Sequence, residues 1–125
     1  MNHDALIAAA LAARPYAYAP YSHYQVGAAI LTDIGLFPGC NVENASYGLC
    51  SCAERTAVFT AICAGAKQVL AVAIATNNGG SPCGACRQVL AEFADDTCPV
   101  LLLNAQGALV RETTLGLLLP HAFRL

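Results

Sequence analysis

The chain has 125 residues, 57% of them hydrophobic and 11% charged, which places it among globular proteins with length for one compact domain, residues 1–125. Six Lys and Arg against eight Asp and Glu give a net charge of -2 with no basic stripe, so nucleic acid is not an expected partner. No apolar run approaches the roughly 18 residues that span a bilayer, so a soluble chain without a membrane partner is expected, and a mean hydropathy of +0.52 in so small a chain predicts that copies bury apolar surface against one another.

The first expected element is a helix over residues 4–18, capped by Asn2 or Asp4 and kinked or shortened late by Pro15. Its apolar stretch, residues 5–13, has the character of a signal-peptide core, but Asn2, His3 and Asp4 lack the positive charge that precedes such a core, and an amphipathic helix is the better reading. Tyr18-Ala19-Pro20-Tyr21-Ser22 reads as a loop, and residues 26–32 and 36–41 as two strands of a hairpin turned through Asp33-Ile34-Gly35. A polar loop, 41–51, leads to a helix over 52–64, where Ala57, Val58, Ala61 and Ile62 recur at helical spacing and Gly65 ends the run. Residues 69–76 are nearly all apolar and are bounded by Asn77-Asn78-Gly79-Gly80, as expected of a central strand buried on both faces. Ser81-Pro82 precedes a third helix over 83–93, followed by strands over 100–104 and 108–113 around Gln106-Gly107 and a helical turn near Leu115. That order requires a parallel crossover, so the fold class is α/β, a mixed sheet covered by helices.

Seven cysteines are an odd number, and three of them fall in Cys52-Ala53-Glu54 and Cys83-Gly84-Ala85-Cys86, a pattern of metal binding rather than of a disulfide framework. Free thiols suit a reducing compartment, and a cytoplasmic location is expected. Cys83 and Cys86, three apart in the first turn of a helix, present both sulfurs on one face, and Cys52 opens another helix in the same way. Helix N-termini lower thiol pKa values. If the two helix starts converge, three sulfurs bind Zn²⁺ and the fourth tetrahedral position stays open for water, which marks a catalytic site. A closed site would recruit a fourth cysteine. Cys50 is the main competitor and Cys40 a lesser one, while Cys63 and Cys98 read as buried small hydrophobes. Glu54, two residues after Cys52, stands where a carboxylate can shuttle protons without ligating the metal. By itself an acidic residue in a first helical turn is ordinary, and it is the coupling to three spaced cysteines that favours chemistry. Three thiolates on Zn²⁺ leave a net charge of -1 to be offset, and Arg55, ahead of Arg87, is the expected donor to the sulfurs.

At Asn41-Val42-Glu43-Asn44-Ala45-Ser46-Tyr47, Ser51-Cys52-Ala53-Glu54-Arg55-Thr56-Ala57 and Ser81-Pro82-Cys83-Gly84-Ala85-Cys86-Arg87-Gln88 the chain closely resembles the small homotetrameric cytidine deaminases. The resemblance extends to Tyr18-Ala19-Pro20-Tyr21-Ser22 and to the tail Leu118-Leu119-Pro120-His121-Ala122-Phe123, so it covers nearly the whole chain. It implies a three-layer α/β/α fold with a five-stranded mixed sheet, one Zn²⁺ per subunit on Cys52, Cys83 and Cys86, and a homotetramer whose active sites are shared between subunits. It also implies hydrolysis of free cytidine and 2'-deoxycytidine to the uracil nucleosides and ammonia, as in pyrimidine salvage, with Glu54 as the shuttle for a zinc-activated water. By the same resemblance the Ala53 N–H and the Ser81 carbonyl address the polar edge of the pyrimidine, and Asn41 and Glu43 bind the ribose 3'-hydroxyl. Tyr24, Ala45 and Tyr47 join the substrate-binding set, Tyr24 standing where the family usually has Phe, and Phe123 packs on the base from a neighbouring subunit. Glu43 favours a plain nucleoside over blasticidin S, whose related deaminases carry Tyr at the matching place. The Cys-x-Glu context of Cys52 and the absent basic surface disfavour a polynucleotide deaminase, which typically uses His-x-Glu. A non-catalytic module that uses zinc only to join two helices has the same cysteines and remains the alternative of a different class.

Overall fold

Proline 15 decides where the first helix stops. In the computed structural model, which describes residues 3–125, helix α1 (Asp4–Ala13) gives way at Arg14–Tyr16 to a 3-10 turn with Pro15 in its first positions. A proline ring blocks a further α turn and removes a donor, so the helix is shorter than the expected 4–18. Its N-cap is His3, with no side-chain cap; Asp4 lies inside the first turn, and Asn2 lies outside the described residues.

The hairpin follows as β1 (Gly27–Thr32) and β2 (Gly35–Cys40), with Thr32 paired to Gly35 around the turn. Gly35 has φ +133, a region that glycine enters without cost. Helix α2 (Ala53–Cys63) begins after Cys52 and ends at Ala64 and at Gly65, which has φ +104. Strand β3 (Val69–Ala75), helix α3 (Gly84–Phe93), strands β4 (Pro99–Leu103) and β5 (Leu109–Thr114), and a last short helix α4 (Leu115–Leu118) complete the chain. The sheet order is β2-β1-β3-β4-β5, so β3 is central as expected; it is buried along its length apart from Leu70. Within this sheet β3 and β4 are the parallel neighbours, and α3 is the crossover between them.

Alternation along the strands separates two cores. Ala71, Ala73 and Ala75 of β3, with Ala29 of β1, face α1 through Leu6 and Ala10. Val72 and Ile74, with Ile30, Val100 and Leu102, face α2 and α3 through Ala57, Val58, Ala61 and Leu90. Each of these larger aliphatic side chains contributes about 1.5–3 kcal/mol by leaving water. The result is three layers, α1 on one face and α2 with α3 on the other. Helix α2 lies directly on β2 because Gly39 has no side chain: a Cβ there would come within 2.5 Å of the Ala57 nitrogen and 2.7 Å of the Ala53 oxygen. That close approach seats the start of α2 on β2. Among the described residues no helix is long and apolar enough to cross a membrane.

Candidate metal centre and its pocket

Two helix starts meet here. Cys52 is the N-cap of α2 and Cys83 the N-cap of α3, both in extended backbone, while Cys86 sits one turn into α3 and is fully buried. The Cys52 and Cys83 sulfurs are 3.9 Å apart and those of Cys83 and Cys86 3.4 Å apart; all three lie within 4.8 Å of one another. Thiolates about 2.3 Å from a tetrahedral zinc stand about 3.8 Å apart, so the spacing fits that ion. The donor chemistry fits as well. The Cys52 thiol is pulled down to about 5, first by its hydrogen bond with Cys86 and then, against burial, by Arg55. Cys86 is driven the other way by that same bond, by burial and by the charges of Glu54 and Cys52. Bound to the three sulfurs, a dication would favour their ionised forms.

Arg55 donates from Nη2 to the Cys52 sulfur at 3.1 Å and to the Cys50 carbonyl at 3.4 Å, the role expected of it. Its Nε is buried without a hydrogen-bond partner among the described residues. Arg87 does otherwise: it donates to the Pro82 and Leu118 carbonyls at 2.7 and 2.6 Å and to the Ser81 hydroxyl, bracing the α3 start against the C-terminal segment. Cys50 is turned away from the cluster, its sulfur held by the Asn44 backbone at 3.4 and 3.6 Å, so it does not close the site. Cys98 is buried as expected, its thiol pushed up to about 12 by burial. Cys63 corrects the expectation, because the last residue of α2 is exposed rather than buried.

Beside the sulfurs, Glu54 in the first turn of α2 is 4% exposed, and burial pushes its carboxyl above the usual range. It lines, with Cys52, Ala53 and Cys83, a cavity of about 260 Å³. Three further segments line this cavity, one through Ser22 and Tyr24, one through Asn41 and Glu43, and one through Thr76, Gly80 and Ser81. Ala53 contributes the first N–H of α2, one of the four that a helix leaves without an internal partner. Asn41 is locked in place: its Oδ1 accepts from the Val26 N–H at 2.9 Å and its Nδ2 donates to the Tyr24 carbonyl at 2.8 Å. The Glu43 carboxylate accepts from the Ser22 hydroxyl and from the Tyr21 and Ser22 N–H groups, and these bonds, the hydroxyl first, hold it below the ordinary range. The Tyr24 phenol donates to Asn78 Oδ1 at 2.8 Å.

Three of the expected residues are not gathered into this cavity within one copy of the chain. Tyr47, in a 3-10 turn over Tyr47–Leu49, is exposed, packs edge-on against Tyr21 at 5.4 Å and borders a neighbouring hollow with Asn41, Glu43, Cys52 and Arg55. Ala45 is exposed in the loop before it. Phe123 is 70% exposed, held through its carbonyl by Gln88 Nε2. Sequence reasoning missed Ser22, Thr76 and Gly80, because Asn77-Asn78-Gly79-Gly80 reads as strand punctuation and Ser22 as part of a loop.

Residues 1–102 match the family model described as the cytidine and deoxycytidylate deaminase zinc-binding region. The chain is 48% identical over 126 residues to the cytidine deaminase of Sporosarcina psychrophila, covering 98% of this chain and 92% of that protein. It is 49% identical over 126 residues to the cytidine deaminase of Halalkalibacterium halodurans, covering 98% and 95%. Its fold superimposes on the 1.6 Å crystal structure of cytidine deaminase from Burkholderia pseudomallei with a TM-score of 0.90 and 55% identity, over 98% of this chain and 100% of that one.

Proposed function

Because the chain belongs to the cytidine and deoxycytidylate deaminase zinc-binding family, we propose that it hydrolyses free cytidine and 2'-deoxycytidine to uridine and 2'-deoxyuridine with release of ammonia. The observation that carries this is the cluster of three cysteine sulfurs, with no fourth cysteine joining it among the described residues, beside a buried carboxyl at the bottom of a cavity. Cys52, Cys83 and Cys86 hold one Zn²⁺ per subunit, which when bound supplies a Lewis acid that brings the pKa of water toward neutrality.

In the reaction a C4–O bond forms to water and the C4–N bond breaks. Glu54 moves the protons: it takes one from the attacking water and gives it to the ring nitrogen N3, then takes the second from the C4 hydroxyl and gives it to the amino group, which leaves as ammonia as the C4 carbonyl forms. A carboxyl whose burial raises its proton affinity suits that exchange. Arg55 and the two helix N-termini offset the excess negative charge of three thiolates around a dication. The Ala53 N–H and the Ser81 carbonyl meet the polar edge of the pyrimidine. Asn41 and Glu43, already oriented by Val26, Tyr24 and Ser22, meet the sugar 3'-hydroxyl, with Tyr24, Ala45 and Tyr47 around the sugar.

Phe123 reaches the base of a neighbouring copy in a homotetramer, a reading that its exposure in one copy supports. Residues 1–125 act as one catalytic domain, located in the cytoplasm, where the seven free cysteines stay reduced. Glu54→Gln tests the proton shuttle. The variant is expected to bind one zinc per chain with unchanged melting, while turnover of cytidine falls by at least about a hundredfold. Full activity in Glu54→Gln would rule out this mechanism; zinc binding with no turnover in the parent itself would identify a structural zinc module.

A further inference from the structure

Besides the start of α2, the pocket is lined by two walls whose nearest strands, β1 and β3, pair at Gly27 and Ala75. One holds Ser22, Tyr24, Asn41 and Glu43, the other runs from Thr76 to Cys83 and carries a metal ligand. Among the described residues one side-chain hydrogen bond joins them, from the Tyr24 phenol to Asn78 Oδ1 at 2.8 Å. The same Asn78 oxygen accepts from the Thr76 hydroxyl at 3.2 Å, and that hydroxyl accepts from the Gly80 N–H at 2.9 Å. Thr76 is 2% exposed, so its hydroxyl has little access to water and depends on these partners. Two bonds run in series, Gly80 to Thr76 to Asn78, and strengthen each other, while the Tyr24 phenol shares the Asn78 Oδ1 acceptor with the Thr76 hydroxyl.

Gly80 gives a second, independent sign. Its backbone does not need glycine for its dihedral angle, yet a Cβ there would stand 2.7 Å from the Tyr24 oxygen, with Asn78 Oδ1 at 3.4 Å and Thr76 Oγ1 at 4.0 Å next. No other atom of Tyr24 comes as near as those. The space above Gly80 is thus the seat of the phenol oxygen and of nothing else on that ring. At its other end Tyr24 is held by Asn41 Nδ2 on its carbonyl at 2.8 Å, so the residue spans from the Asn41–Glu43 segment to the Gly80–Ser81 segment.

We infer that Tyr24, through Asn78 and Gly80, is a positioning residue: a strut that sets the distance between the segment meeting the sugar and the segment carrying Ser81 and Cys83. The inference rests on the deaminase assignment for its catalytic consequence but not for the strut itself. A strut that shapes the pocket before and during reaction contributes equally to ground state and transition state, so its loss raises KM and leaves kcat nearly alone.

The test compares the zinc-loaded parent with Tyr24→Phe, Asn78→Ala and the double variant, by amide hydrogen exchange at Gly80 and by steady-state kinetics with cytidine. Faster Gly80 exchange is expected in every variant, with KM raised about two- to fivefold in each single variant, the scale of one neutral hydrogen bond, and kcat within about twofold. The double variant should be no worse than Asn78→Ala alone, since Asn78→Ala, which also frees the Thr76 hydroxyl, already removes the bond that Tyr24→Phe deletes. Gly80→Ala should lower the melting temperature of the parent and have no such effect in the Tyr24→Phe background, where the clashing oxygen is gone. Unchanged Gly80 exchange in both single variants, faster exchange with KM unmoved, or effects that multiply in the double variant would each overturn the strut. A parent that turns over neither cytidine nor deoxycytidine sinks the deaminase assignment instead, and the Gly80 exchange with the Gly80→Ala suppression then decides the strut alone.

Discussion

Arg55 spends its guanidinium on a sulfur rather than on a carboxylate: Nη2 lies 3.1 Å from Cys52, and the thiolate in turn raises the arginine's own proton affinity. Groups that touch metal ligands typically affect metal affinity or activity by 10–100-fold. Arg55→Gln is therefore expected to lose about 10–100-fold in kcat/KM while remaining folded, checked by kinetics with cytidine beside a melting curve. Glu43 behaves differently. Its carboxyl is held below the ordinary 4.5 by Ser22 and Tyr21, so the stability it contributes is present above that value and is lost as pH falls through its lowered folded value. The gap in denaturation midpoint between parent and Glu43→Gln should thus be constant near neutrality and close as the pH is lowered through the carboxylate range. Equal gaps at all pH values would mean that Glu43 is not held as an anion. Cys52, Cys83, Cys86, Glu54 and Arg55 were all legible in the sequence, because metal spacing and helix starts leave a short-range signature. Ser22, Thr76 and Gly80 were not, since their roles come from contacts between segments distant in the chain.

At the scale of elements, the site depends on how closely α2 lies on β2. The backbone of Ala53 and Ala57 rests on Gly39, where a methyl group would come within 2.5 Å of a main-chain nitrogen. Gly39→Ala is expected to cost about 1–3 kcal/mol by overpacking and, by tilting the start of α2, to weaken zinc retention against a chelator. Denaturant unfolding and metal release rates check both. Unaltered metal release would show that the start of α2 is placed by something other than this contact. The element order, the central place of β3 and the parallel crossover through α3 could be read from hydrophobic runs and turn residues. The end of α1 could not be fixed, because Pro15 is compatible with a kinked α-helix as well as with the 3-10 turn that forms. The 3-10 turn at Tyr47–Leu49 likewise left no periodic trace in a loop of polar and small residues.

For the whole molecule, the exposed aromatic and aliphatic side chains are the outstanding fact. Tyr47, Leu49, Leu117 and Phe123 are each at least 70% exposed in one copy, although the chain is strongly apolar. The proposed homotetramer would give them partners and would supply Phe123 to the pocket of a neighbouring copy. Sedimentation is expected to report four copies of the 12.9 kDa chain. Phe123→Ala should raise KM for cytidine by about tenfold or more without loss of zinc, the scale of a lost aromatic contact. A fully active monomer would contradict the shared site. Deamination by this cysteine cluster and Glu54 can be followed in the ultraviolet spectrum of cytidine incubated with purified protein, beside a zinc-stripped sample. Conversion to the uridine spectrum is expected in the zinc-loaded sample, with activity restored when zinc is returned to the stripped one. An unchanged cytidine spectrum with zinc-loaded protein, or equal turnover after the metal is removed, would contradict it.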